Sequence, residues 1–559
     1  MTTEQRLFDF QYLSSVFAKT YAPYEWKRDR FGADIYNVQP WADRIRRAKD
    51  DLEYYEIAAE YVASLKDTHS AFSMNSVFEA YLPLTADLYD GKVLVDLIDR
   101  SALPESQYPL QIGDEVVSVD GTSTEDWIRY FSRFFALGWD RPTRRILAYA
   151  LFYRPQTVFP RAHEIGAEAR VQVRRRDGTM AAVSIPWIRF GTPIPYAGPV
   201  PSPRPATRGP AVPASAYAAW RWRMLEQEAS VAAEEDSGMG PLLAGLQTRR
   251  APERLRVLGL GARSPRFALP QGFQVRLGRL GSDFHFSGWY PASGKRIGYL
   301  RIPHFSPPSL AQALRELSGE VTWMNDNTDG LVVDVTNNTG GGCYGAAALT
   351  WLIPWPFQLP GDEVRATQQY VNAIEAEKQA VERLQPPQWV LILYDEMLKQ
   401  LRSALMENRG RTGRIPFCGP SFDWDTARNE NGDILAYRKP LITLVDDFTI
   451  SWGDVFASAM QDAGRGPLAG IRTNGAGGSV GSGAAGFYSE SFVTYTMTMG
   501  VRHRYIGTDD FGTVNYLENV GVRPEIALDY QTVDNLLRRG EPYVQAFTAA
   551  ILAEISRNQ

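Results

Sequence analysis

Two cysteines, Cys343 and Cys418, are all that this chain of 559 residues contains. So few exclude a disulfide framework and any cysteine-rich zinc site, and a bridge between the two is not expected. Histidine is nearly as scarce: His69, His163, His285, His304 and His503 bound the search for a general base. No apolar run reaches the roughly 18 residues that a membrane span needs, so no span is expected. Neither sign of charge dominates. The net charge is −5, from 59 basic and 64 acidic residues, which argues against a general nucleic-acid binder. The opening MTTEQRLFDFQYLSSVFAKTY lacks a basic segment followed by an apolar core, so no signal peptide is expected there. On that reading the compartment is cytoplasmic if the chain is complete, and periplasmic or secreted if a leader was removed. No internal repeat is seen.

What is present is ordinary globular composition, 44% hydrophobic and 22% charged, over a length that calls for two to four domains. Residues 1–77 carry apolar side chains at helical spacing (Leu7, Phe10, Leu13, Phe17; Leu52, Tyr55, Tyr61, Leu65) and predict a small helical bundle. Residues 82–190 predict short strands: one over Lys92 to Ile98, a strand and Asp-Gly turn in 111–121 (QIGDEVVSVDG), and a hairpin around Asp177-Gly178. With the helix predicted over 123–131, the second of these resembles the PDZ signature, although a long helical stretch intervenes before the hairpin. PDZ domains capture extended peptides by strand addition. Residues 191–262 read as a proline-rich linker, with a further helix over Trp220 to Glu235. Residues 263–559 read as one α/β core with a helical insertion at about 360–435. The expected class is α+β multidomain.

Two segments carry chemistry. Residues 331–335 form an apolar run suited to a buried parallel strand and lead into Gly340-Gly341-Gly342; residues 441–445 form a second and lead into Ser451 just before a helical pattern. A serine at a strand-to-helix elbow stands clear of both elements and sits at a helix N-terminus, where negative charge is favoured. Glycines let backbone N–H groups approach a substrate, so Gly340 or Gly341 with Trp452 are candidate oxyanion donors for acyl transfer. Taken alone, the serine also suits an ordinary N-cap and the glycines an ordinary tight turn.

In combination the segments 297–305 (IGYLRIPHF), 331–341 (LVVDVTNNTGG) and 445–470, which includes AMQDAGR at 459–465, resemble the C-terminal-processing (tail-specific) serine peptidases. The resemblance implies a peptidase core of crotonase and Clp protease type, with Ser451 as nucleophile. The commoner branch of that family uses a lysine base in a Thr-x-Gly-Lys-Gly loop. Here the loop 473–477 reads TNGAG, with Ala476 at the lysine position, and no lysine follows Ser451. The branch resembling the tricorn protease core uses a histidine in Leu-x-Asp-x-His, which 65–69 (LKDTH) matches at His69. Histidine suits the task because its pKa lies near working pH. The same branch implies a supporting glutamate before Gly-Val-x-Pro, which is Glu518, acting through a second hydroxyl for which Ser70, Ser479 and Thr449 are candidates.

The expected function is a serine endopeptidase acting on peptides or unfolded protein, with no cofactor, no metal, no nucleic acid, no membrane span, and homo-oligomerisation left open. Its rivals are an inactive peptidase-like binder of peptide or small ligand and a crotonase-type acyl-CoA enzyme. The G-x-S-x-G match around Ser479 lacks the strand before and the helix after that a lipase elbow needs. The glycines at 475–483 lack the lysine of a phosphate loop. His285 and His304 lie on predicted strands without metal-ligand spacing and are assigned structural hydrogen bonds.

Overall fold

The structure, a computed structural model, describes residues 1–194, 257–419 and 421–558. The expected helix at 220–235 and nearly all of the proline-rich stretch lie outside those residues.

The centre is a seven-stranded sheet in the order Gln274–Leu277, Phe286–Ala292, Lys295–Arg301, Gly330–Asp334, Leu441–Val445, Leu468–Gly470 and Ile526–Ala527. The last five strands run parallel, and the first three form an antiparallel edge. Gly330–Asp334 and Leu441–Val445 are fully buried neighbours in register, Val332 opposite Ile442. Their side chains alternate between two apolar layers, as a strand's period of two requires. Val332, Ile442 and Leu444 pack on Phe547, Ile551 and Ile555 of the C-terminal helix Glu541–Arg557. Leu331, Val333, Leu441 and Val445 pack on helices Leu310–Asn327, Tyr344–Leu352 and Trp452–Asp462. Covering helices on both faces are what a parallel sheet needs. The insertion contains helices Gln368–Glu382 and Gln388–Met406, packed on each other.

Four N-terminal helices (Thr3–Thr20, Tyr24–Phe31, Gln39–Arg46, Asp51–Ala63) precede the strand Ala71–Ser73, which pairs with Phe492–Thr496 of the core. A second, antiparallel sheet runs Leu84–Tyr89, Lys92–Ile98, Glu115–Val119, Glu168–Arg174, Met180–Pro186, with helices Thr124–Phe131 and Asp140–Ala150 against it. Ser123 caps the first of these helices by accepting from the Asp126 N–H. Of the long helical stretch expected after residue 131, only Asp140–Ala150 is a helix of that kind; strand Tyr153–Pro155 follows it.

A buried ion network fastens this sheet to the core. Arg145, fully buried, donates to Asp87 at 2.6 Å and also pairs with Asp447, four residues before Ser451. Phe448 and Ile450, on the approach to Ser451, share one apolar cluster with the N-terminal helices. The elbow therefore sits where three parts of the chain meet.

One expectation is corrected. Cys343 and Cys418 form a disulfide, with Cα atoms 5.7 Å apart across 75 positions of sequence. The fold brings the two loops within the separation a bridge requires, which no cysteine count can register.

Candidate active site

Ser451 follows the strand Leu441–Val445 by a five-residue turn and directly precedes the helix Trp452–Asp462. Its backbone is in the left-handed region, φ 57° and ψ −117°. For a non-glycine residue that conformation costs roughly 1–3 kcal/mol and persists only where surroundings impose it. They do so here. Ile450 donates to the Asn338 carbonyl at 2.9 Å, and Gly453 donates back to the Ile450 carbonyl at 2.7 Å. The serine side chain makes no capping bond to its helix, so its hydroxyl is not spent on the structural duty that a serine here commonly performs.

The glycine loop lies directly against this elbow. A Cβ on Gly340 would stand 2.6 Å from Ser451 Cβ and 3.0 Å from the Trp452 nitrogen. Gly340 and Gly341 have φ of 84° and 136°, open to glycine and strained for other residues. The Gly340 N–H donates to Asn338 Oδ1 at 2.9 Å and is therefore occupied. Among the described residues the N–H groups of Gly341 and Trp452 carry no recorded partner. Trp452 is the first residue of its helix, where an N–H has no intrahelical acceptor.

His69 lies in the turn before strand Ala71–Ser73 and is fully buried. Its backbone N–H donates to Asp67 Oδ1 at 2.9 Å, and Asp67 is itself held by Tyr21 Oη at 2.8 Å and by Thr496 Oγ1. Burial pushes the imidazole down to about 4, with Asp67 pulling the other way, so the ring is neutral at neutral pH. Among the described residues neither ring nitrogen has a hydrogen-bond partner, so the imidazole is not hydrogen-bonded to the Ser451 hydroxyl or to Glu518.

The turn and the elbow are nevertheless stitched together. Thr68 Oγ1 donates to Asn474 Oδ1 at 2.6 Å; Asn474 donates through its N–H to the Thr449 carbonyl at 3.1 Å and through Nδ2 to the Asp447 carbonyl at 3.0 Å. The loop bearing Asn474 is the one that carries Ala476 where the lysine-using branch has its base. Asp454, in the first turn of the elbow helix, holds that loop by accepting from Gly475 at 2.9 Å, Ala476 at 3.1 Å and the Thr473 hydroxyl. Burial pushes Asp454 up to about 6 against those bonds.

Glu518 enters the same cluster. It is fully buried, and Asn519 beside it donates to the Gly475 carbonyl at 2.7 Å. Burial and then the Asp67 carboxylate push Glu518 up to about 8, opposed by Lys27, whose ammonium lies 2.5 Å from Oε1. Oε2 has no partner among the described residues. Of the three hydroxyls considered for linking Glu518 to the site, Thr449 donates to the Val335 carbonyl at 2.8 Å and Ser479 approaches Asp362 at 3.4 Å. The Ser70 hydroxyl has no partner among the described residues. His285 bonds Tyr344 and Glu316, at 2.7 and 3.0 Å, and stands apart from this cluster.

Residues 296–506 match the profile of peptidase family S41, and residues 78–195 that of a PDZ domain. The chain carries a serine-type peptidase domain of family S41. Proteins of Chlamydia pneumoniae and Chlamydia muridarum are similar to it along nearly their whole length. The first is 24% identical over 604 residues, spanning 100% of this chain and 91% of the relative; the second is 23% identical, spanning 98% and 92%. The structure of mature CPAF complexed with lactacystin superposes with a TM-score of 0.74 at 19% identity, covering 100% of this chain and 99% of that one, and so shares the fold. Lys27, Thr68, Asp454 and Asn474 join this cluster without standing out as site residues in the sequence. Asp454 alone left a trace, as an acid in a first helical turn.

Proposed function

We propose that this S41 peptidase is an endopeptidase in which Ser451 is the nucleophile and His69 the general base. The observation that carries the reading is the left-handed Ser451 elbow, packed against Gly340, with its hydroxyl unused by the helix. The Ser451 hydroxyl oxygen attacks the scissile carbonyl carbon as His69 takes the hydroxyl proton, and the carbonyl oxygen becomes an oxyanion. The N–H groups of Gly341 and Trp452 are the donors suited to that oxygen, since the Gly340 N–H is bonded to Asn338. His69 then returns the proton to the leaving amine, and water releases the acyl group by the same steps in reverse. Glu518 supports the imidazolium from within the cluster.

The imidazole and hydroxyl are not bonded in this structure, and the reaction requires them to close on one another when substrate is seated; such contacts commonly tighten only in the substrate complex. The substrate is an extended peptide or unfolded protein segment, with the PDZ domain as its holding site. Reaction with a fluorophosphonate tests the assignment. Wild type should become covalently labelled, Ser451→Ala should not, and lactacystin, the ligand of the CPAF structure, should compete. A wild type that does not label, or a Ser451→Ala variant that labels equally, sinks the reading and leaves the binding-protein alternative.

A further inference from the structure

Lys27 belongs to the eight-residue helix Tyr24–Phe31, whose sequence YEWKRDRF reads as a solvated, charged surface. The side chain is nonetheless fully buried. An ammonium has three donors, and all three are spent: on Glu518 Oε1 at 2.5 Å, Asn519 Oδ1 at 2.7 Å and the Lys66 carbonyl at 2.9 Å. Lys66 stands three residues before His69 and has a left-handed backbone, φ 49°. One ammonium therefore joins the carboxylate from the C-terminal part of the core to the turn that delivers the imidazole.

Neighbouring contacts reinforce the same joint. Trp26 Nε1 donates to Asn519 Oδ1 at 3.0 Å, and Asn519 Nδ2 donates to the Lys66 and Gly138 carbonyls at 2.9 and 2.8 Å. The groups that face Glu518 are Asp67 on the His69 turn, Asp454 on the elbow helix, Tyr21 at the end of the first helix, and Lys27. The first two are carboxylates, so Lys27 is the cation that opposes their upward push on the Glu518 carboxyl. A buried charge without its partner is strongly destabilised and tends to neutralise. Arginine could not replace it, because a planar fork cannot converge on three acceptors as a tetrahedral ammonium does.

We propose that Lys27 is a positioning residue for the peptidase reaction, pinning Glu518 to the His69 turn and supplying its counter-charge. The inference rests on the roles given above to His69 and Glu518. It also means that the helical N-terminus is part of the catalytic apparatus, contributing a charge as well as the base.

The test is the rate of fluorophosphonate labelling against pH for wild type, Lys27→Met, Glu518→Gln and the double variant, with thermal unfolding in parallel. Lys27→Met should label at least about tenfold more slowly at pH 7 and recover as pH rises, its acid limb moved up by about one unit or more as the orphaned carboxylate ionises. Glu518→Gln should be slow without that limb. The double variant should be no slower than Glu518→Gln alone, and it should fold even if Lys27→Met does not, because the orphaned carboxylate is gone. A Lys27→Met variant with the wild-type rate and pH profile overturns the inference while leaving the Ser451 reading intact. So does a double variant slowed by the product of the two single effects. Failure of wild type to label overturns both.

Discussion

Gly340→Ala probes the meeting of the two loops without altering a side chain that takes part in chemistry. The added Cβ would lie 2.6 Å from Ser451 Cβ, 2.8 Å from the Ile450 carbonyl oxygen and 3.0 Å from the Trp452 nitrogen. None of these is the far end of a flexible side chain. Ordinary contacts between such atoms fall at about 3.5–4.0 Å, so relief requires the loop or the elbow to shift by roughly 1 Å. Holding alanine at φ 84° adds about 1–2 kcal/mol. A displacement of that size at a reacting centre costs on the order of a hundredfold in rate. Labelling of Gly340→Ala should accordingly fall about a hundredfold, with a lowered unfolding temperature. Gly342→Ala is the control: its nearest neighbour is the Phe305 carbonyl oxygen at 4.0 Å, and it has no positive φ. That variant should stay within about 0.5 kcal/mol of wild type. If Gly340→Ala labels and melts like wild type, or if Gly342→Ala is equally damaging, the glycine loop does not lie against the Ser451 elbow.

Two further predictions concern stability. Burial holds His69 down to about 4, whereas the unfolded chain protonates it near its ordinary 6.5. Protons are therefore taken up on unfolding between those values, and the contribution of the neutral imidazole falls away as pH drops from about 6.5 to 4, by up to about 3 kcal/mol. Urea titrations at pH 7 and 4.5 should show the wild-type advantage over His69→Gln shrinking across that window; an advantage that is constant or grows refutes the burial. The Cys343–Cys418 bridge closes a loop across 75 positions, worth on the order of 4 kcal/mol by chain entropy. It also ties the residue after Gly342 to the neighbour of Phe417, whose ring packs on Trp452 with centroids 5.5 Å apart. Replacing both cysteines by serine should lower the unfolding temperature and slow labelling, and thiol titration of unreduced native protein should find no free thiol; a free thiol pair there would contradict the bridge.

The parallel strands at 330–334 and 441–445 were legible because a strand buried on both faces is apolar along most of its length, interrupted here only by Asp334 and Thr443. The serine elbow was legible because a strand and a helix flank it in sequence. His69 stood out only through the family resemblance, since 65–69 match the motif of the histidine-using branch and Ala476 stands where the other branch has its lysine. Gly340 was nominated with Gly341 as a donor, but glycine content cannot say which N–H is already bonded, and Asn338 occupies that of Gly340. Lys27 left no signal, because its burial is imposed by segments nearly 500 residues away and its own helix has the composition of a surface.

The sequence by itself determined which chemical groups are available: one serine at a helix start, a glycine loop at a strand end, a histidine in a polar turn and no lysine after the elbow. Those are local matters of residue type and spacing. Only the tertiary structure decided which of them meet. It joined the two cysteines, left the imidazole buried without a bond to the hydroxyl, and set a lysine from the second helix against a glutamate near the other end. Such pairings follow from packing between distant segments, and a chain does not write them in the neighbourhood of either partner.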